Sequence, residues 1–200
     1  PAGTLSASNS ALVSIGGNAL ARTLSGNLVN LNGYIASGNL MYQGASNANG
    51  NVTLTVTIND QGNTGGAAQQ AQDTITLQIA AVNDAPTVSA PGTLSVMAGQ
   101  SIGLGGISYA DADGSGINAV ASYAAANGTF SASSGAGVSV SGGGTGNLTL
   151  SGTLSAINSR IAGTPVQYQS SALLPGLVPV TLTVNDQGNV GGGALTGNAI

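Results

Sequence analysis

Six aspartates, Asp60, Asp73, Asp84, Asp111, Asp113 and Asp186, are the whole acidic inventory of this 200-residue sequence, and Arg22 and Arg160 the whole basic one. Their grouping bears on what chemistry they could do. Asp111 and Asp113 fall together in Asp-Ala-Asp-Gly-Ser-Gly116, Asp60 and Asp186 each in Asn-Asp-Gln-Gly-Asn, and Asp84 in Val82-Asn-Asp-Ala-Pro86. Carboxylates joined by backbone carbonyls in loops are hard-oxygen ligands that suit Ca²⁺, which takes about six to eight oxygens. An Asp-x-Asp spacing lets two side chains of one loop point the same way. The same residues also have a purely structural reading. Asp-x-Asp-Gly stabilises an Asx turn, and Asn-Asp before Gln-Gly ends a strand. Asp73 reads as a solvated strand start.

The rest of the composition excludes more than it offers. Charged residues make up 4%, against roughly 25% in ordinary soluble domains. With no His, Cys, Lys or Glu, there is no Ser-His-Asp or Cys-His nucleophile, zinc or haem ligand set, disulfide, Schiff base or P-loop. Paired aspartates serve glycosidases, but Asp111 and Asp113 share one loop instead of flanking a cleft, so no enzyme is expected. Two arginines cannot neutralise a phosphate backbone, which argues against nucleic acid as a partner. The tyrosines are too few and scattered for a sugar-stacking platform, and Trp is absent. At 42% hydrophobic residues and a net charge of -4, the chain is too apolar for typical disorder. Its apolar runs are all far shorter than the roughly 20 residues of a membrane span.

What must position the aspartates is a repeat. Val52-Thr-Leu-Thr-Val-Thr-Ile-Asn-Asp-Gln-Gly-Asn63 recurs as Val178-Pro-Val-Thr-Leu-Thr-Val-Asn-Asp-Gln-Gly-Asn189, an offset of 126 residues. The same offset carries Leu24–Leu28 onto Leu150–Leu154, Asn32 onto Asn158 and Tyr42-Gln43 onto Tyr168-Gln169. Residues 84–127 have no earlier counterpart, and the match to Asp73–Val82 would run past residue 200. The expected organisation is therefore 1–83, the C-terminal part of one repeat, followed by 84–200, a second repeat lacking its last strand. Val52, Leu54, Val56 and Ile58, then Ile75, Leu77 and Ile79, then Val178, Val180, Leu182 and Val184 alternate with mostly polar residues. That period predicts half-buried strands with the apolar face inward. Leu154, Ile157 and Ile161 break the pattern at i, i+3, i+7, predicting a short helix capped by Thr153 or Ser151. The fold class expected is all-β: tandem β-sandwich repeats, with one short helical turn per repeat.

These motifs together resemble the cadherin-like, Ig-like tandem repeats of giant bacterial surface adhesins and type I-secreted proteins. Val-Asn-Asp-Ala-Pro resembles that family's inter-repeat linker. Tyr-Ala-Asp-Ala-Asp-Gly-Ser-Gly resembles its Asp-x-Asp loop, and Thr-Val-Asn-Asp-Gln-Gly-Asn its Asp-x-Gly loop. In the family these three converge on calcium at the joint between repeats. The resemblance implies metal-binding roles for Asn83, through its carbonyl, and for Asp84, Asp111, Asp113 and Asp186, with Asp60 serving a preceding joint. Cadherins add glutamates for further ions. With no Glu here, at most one well-liganded Ca²⁺ per joint is implied, completed by water.

The resemblance implies an extracellular role at a bacterial cell surface: a structural or adhesive spacer, or a filament or biofilm-matrix segment. Its partners would be neighbouring repeats or identical subunits, with any cell-surface or matrix ligand bound through other domains. Two alternatives stand beside this. A processed subunit missing a strand would polymerise by strand complementation. A β-solenoid passenger or ice-binding-type repeat shares the Gly/Ser/Thr/Asn richness, but solenoids repeat about every 20–30 residues and the clear period here is 126.

Overall fold

Alternating aliphatic and threonine residues put this chain mostly into β-strands, with two short helices. The computed structural model describes residues 3–63, 65–171, 176–189 and 191–200. The chain divides into two compact units, Pro1–Ala81 and Val82–Ile200. Among the described residues, no helix is long and apolar enough to cross a membrane.

Unit 1 contains β1 (Gly3–Ala7), β2 (Ser14–Gly17), β3 (Arg22–Ser25), α1 (Leu28–Ala36), β4 (Leu40–Gly44), β5 (Gly50–Asn59) and β6 (Gln70–Ile79). Its strands pair antiparallel as three separate two-stranded sheets, β1-β4, β2-β3 and β5-β6. Asn27 caps α1 by accepting from the Asn30 N–H at 2.8 Å, which satisfies one of the helix's orphan donors. Arg22 ties β3 to β1 by donating from Nε to the Leu5 carbonyl at 3.0 Å.

Unit 2 contains β7 (Thr87–Ser89), β8 (Ser101–Gly103), β9 (Ser108–Ala110), β10 (Asn118–Ala125), β11 (Thr129–Ser131), β12 (Ser139–Ser141), β13 (Asn147–Thr153), α2 (Leu154–Gly163), β14 (Gln167–Gln169), β15 (Val180–Asn185) and β16 (Thr196–Ala199). A five-stranded sheet runs β12-β13-β10-β15-β16, a three-stranded one β11-β14-β8, and β7 pairs with β9. The expected helix is present. Thr153 is extended and accepts from the Ala156 N–H, and Leu154, Ile157 and Ile161 are buried on one face. Arg160, in its last turn, donates from Nη2 to the Ser133 carbonyl at 2.8 Å. The last strand was expected beyond residue 200; a four-residue strand, β16, is present at Thr196–Ala199 and pairs with β15.

The hydrophobic core lies in unit 2. Tyr123 of the five-stranded sheet meets Phe130 of the three-stranded sheet with ring centroids 6.0 Å apart, and Phe130 meets Tyr168 at 5.4 Å. Leu148, Leu150, Leu182 and Val184 close around them. Unit 1 corrects one expectation. Val56 and Ile58 were to face a core, yet they are 45% and 46% exposed, whereas Leu182 and Val184, at the same repeat positions, are 4% and 0%. In unit 2, β10 lies between β13 and β15 and joins the hairpin pairs into one sheet with a layer to pack on; in unit 1, β5 and β6 pair only with each other among the described residues.

Candidate functional site

Antiparallel register brings the aspartates of unit 2 to one end of it. β7 pairs with β9 so that Thr87 lies opposite Ala110. The residues just before β7, Asn83 and Asp84, therefore run beside those just after β9, Asp111 to Asp113. β15 ends with Asn185 opposite Val120 of β10 and Thr196 of β16, which puts Asp186 at the mouth of the loop between β15 and β16. Two further contacts fix the Asp-x-Asp segment. Asn158 of α2 accepts from the Tyr109 N–H at 2.9 Å and donates to its carbonyl at 2.7 Å. The first residues of α2 also donate, Leu154 N to Ile117 O at 2.9 Å and Ser155 N to Ser115 O at 2.8 Å.

The Asp186 loop is built by its own sequence. Asn185 Oδ1 accepts from the Gln187 N–H at 2.9 Å, an Asx turn that lets Gln187 (φ 60°) and Gly188 (φ 66°) adopt left-handed backbone. A Cβ on Gly188 would stand 2.8 Å from Ala194 N and Gly192 O, so only glycine fits. Asp186 Oδ1 then accepts from Gly188 N at 2.9 Å and Leu195 N at 2.8 Å. Its Oδ2 accepts from Asn83 Nδ2 at 2.6 Å. Asp186 is fully buried. Burial works to raise its pKa, but the Gly188 and Leu195 N–H groups and the Asn83 amide together hold it below the ordinary carboxylate value. Asn189 ties this loop to the start of β10, donating to Asn118 O at 2.7 Å and also to Asp186 O.

The Asp-x-Asp loop has the opposite electrostatics. Asp113 N–H donates to Asp111 Oδ1 at 2.8 Å, and Asp84 N–H to Asp113 Oδ2 at 2.8 Å. Asp111 Oδ2 is buried and has no hydrogen-bond partner. Burial raises the Asp111 pKa, and the charges of Asp113, Asp186 and Asp84 raise it further, against the lowering effect of the Asp113 N–H. Four carboxylates thus act on one another at one end of unit 2, and one oxygen among them has lost water without gaining a donor.

Of the six residues expected at metal, five meet here: Asn83, Asp84, Asp111, Asp113 and Asp186. Asn83 enters through its side-chain amide, as a donor. Asp60 belongs to unit 1, where its Oδ1 accepts from Gly62 N at 2.9 Å and Gln69 N at 2.8 Å. These bonds lower its pKa and reproduce the Asp186 loop. Asp73 is exposed on β6 and accepts from the Thr74 N–H at 2.7 Å. The donor set at the cluster is all oxygen, as Ca²⁺ requires. Among the described residues, however, no three carboxylates are spaced to share an ion in this arrangement. Asn83 Nδ2 and the Asp84 N–H engage the oxygens of Asp186 and Asp113 instead. The sequence reading missed the positioning roles of Asn158 and Asn189. The signal was available, since both recur at the 126-residue offset as Asn32 and Asn63. Compared with known proteins, the chain matches no family model, no curated protein and no solved structure.

Proposed function

We propose that this chain is a segment of an extracellular structural or adhesive protein, built of tandem cadherin-like β-sandwich repeats and stiffened by calcium. The observation that carries the reading is the meeting of three loops, remote in sequence, around Asp111 Oδ2, a buried carboxylate oxygen without a donor. Repulsion among Asp84, Asp111, Asp113 and Asp186 is a standing cost that a divalent cation removes. Asp111, Asp113, Asp186 and Asp84 would hold the ion through carboxylate oxygens, and Asn83 through a carbonyl once its amide turned away from Asp186. Asn83 and Asp84 open unit 2, so an ion there would tether the incoming chain to both the Asp111–Asp113 loop and the Asp186 loop. That is a mechanical role and asks for no catalytic group.

Calorimetric titration of the full chain with Ca²⁺, with Mg²⁺ as comparison, tests this. Binding of one Ca²⁺ is expected, with a melting temperature higher in Ca²⁺ than in chelator and a loss of both effects in Asp113→Asn. A melting temperature indifferent to Ca²⁺, with Asp113→Asn equally silent, would sink the calcium reading. Small-angle scattering with and without Ca²⁺ tests the stiffening, since the ion should narrow the distribution of chain dimensions.

A further inference from the structure

Asn83 makes contacts with the Asp186 loop that the loop does not need in order to form. In unit 1 the loop of the same sequence is built by Asp60 Oδ1 accepting from Gly62 N and Gln69 N, with the same left-handed Gln-Gly pair. Among the described residues no side-chain amide reaches the Asp60 carboxylate. In unit 2 the two loop N–H groups likewise go to Asp186 Oδ1, and Oδ2 is left to Asn83. A side-chain NH₂ carries two donors, and Asn83 Nδ2 donates to Asp186 Oδ2 at 2.6 Å and to the Gly193 carbonyl at 3.0 Å. The nitrogen therefore lies between a carboxylate oxygen and a carbonyl oxygen, the kind of neighbours a hard cation takes.

The fit is close. A Cβ on Gly192 would stand 3.1 Å from the Asn83 Cβ, so a side chain at residue 192 would push Asn83 outward. One residue on, the Asp84 N–H donates to Asp113 Oδ2 at 2.8 Å. Val82, just before, is 74% exposed, and Pro86, just after, is buried. Residues 83 and 84 thus fasten the chain entering unit 2 to two acidic loops, each by a neutral N–H on a carboxylate oxygen.

We propose that the Asn83 amide is a built-in substitute for a cation at Asp186. It latches the entry of unit 2 to the Asp186 loop, and Ca²⁺ can take Asp186 Oδ2 only when the amide lets go. The second part rests on the calcium reading; the first does not. The latch also accounts for carboxylates that gather at one end of unit 2 without being spaced to share an ion. Asp186 Oδ2 and Asp113 Oδ2 already face donors of the entering chain.

Amide exchange followed by NMR on the full chain tests this. In chelator the Asn83 side-chain NH₂ should be protected, a measurement that needs no variant. Asn83→Ala should speed exchange at the Asp84 N–H at least about tenfold, a loss of about 1.4 kcal/mol, and leave Gly188 and Leu195 unchanged. Gly192→Ala, which crowds Asn83 without removing a donor, should act in the same direction. An unprotected NH₂, an Asp84 unmoved by both variants, or Gly188 and Leu195 loosened as much as Asp84 would overturn the latch. Added Ca²⁺ should abolish the NH₂ protection in step with its binding. Binding that leaves Asn83 protected would overturn the release and spare the calcium reading. A latch present in chelator with no Ca²⁺ bound would instead sink the calcium reading, and the release with it.

Discussion

Replacing Asp111 by Asn should stabilise the protein in chelator and destabilise it, relative to the unaltered chain, in Ca²⁺. In the absence of metal the Asp111 carboxylate has one buried oxygen with no donor, and burial with the charges of Asp113, Asp186 and Asp84 disfavours its ionised form. The amide has the same shape, removes one of the four charges and adds an N–H₂ that can face the neighbouring carboxylates. Leaving a buried acceptor unsatisfied costs about 1–3 kcal/mol, so a gain of about 1.5 kcal/mol is expected. For a unit of this size that corresponds to a rise in melting temperature of about 5 °C. With Ca²⁺ at about a hundred times its Kd, the unaltered chain gains about 2.7 kcal/mol. The variant forfeits that gain, and the order of stability inverts. The assay is thermal unfolding of both proteins, each in chelator and in Ca²⁺. The pH dependence gives an internal check. A raised native pKa means that the folded state binds the extra proton, so Asp111 costs nothing below the ordinary carboxylate pKa of about 3.9. Its cost then grows as pH rises through the raised value. The advantage of Asp111→Asn in chelator should vanish at the acid end and open above it. A variant less stable than the parent in chelator at pH 7 would refute the reasoning, whatever Ca²⁺ does.

Three further outcomes follow from the same contacts. Asp186→Ala orphans the Gly188 and Leu195 N–H groups and the Asn83 amide and should cost about 3 kcal/mol in denaturant unfolding. Because the Asp186 pKa is lowered, its contribution is present above about pH 3.9 and should fade as pH falls further, an acid sensitivity absent from the variant. Asn158→Ala strips both partners from the Tyr109 backbone. It should cost about 2 kcal/mol and speed amide exchange over residues 109–114. Val184→Ala, at a fully buried position, should cost about 2–3 kcal/mol. Ile58→Ala, 126 residues earlier but 46% exposed, should cost under about 1 kcal/mol; equal losses would contradict this difference in burial.

Local features of the chain were legible because they are decided by neighbours in sequence. Thr153 caps α2 with a hydroxyl three residues from the N–H it accepts, and Leu154, Ile157 and Ile161 share a face because a helix turns every 3.6 residues. The Asn-Asp-Gln-Gly-Asn loop is equally self-contained. Its Asx turn and left-handed Gln-Gly pair appear identically at Gln61-Gly62 and Gln187-Gly188. The grouping of Asp84, Asp111, Asp113 and Asp186 was also within reach, since each sits beside a strand end, and strand ends gather where antiparallel strands begin and finish.

Tertiary structure alone decided which copy of each pattern is buried and what each carboxylate oxygen faces. Val56 and Leu182 stand in near-identical sequences, yet only Leu182 is enclosed; the strand that carries Leu182 lies within a five-stranded sheet, while β5 pairs only with β6 among the described residues. Likewise the family resemblance implied a carbonyl role for Asn83, while its amide donates to Asp186. Asp111 and Asp186, both plain loop aspartates in sequence, have pKa values displaced in opposite directions. The physical reason is common to all three cases. Hydrophobic burial and carboxylate solvation are fixed by the full shell of neighbours, and for these residues most of that shell comes from segments tens of positions away along the chain.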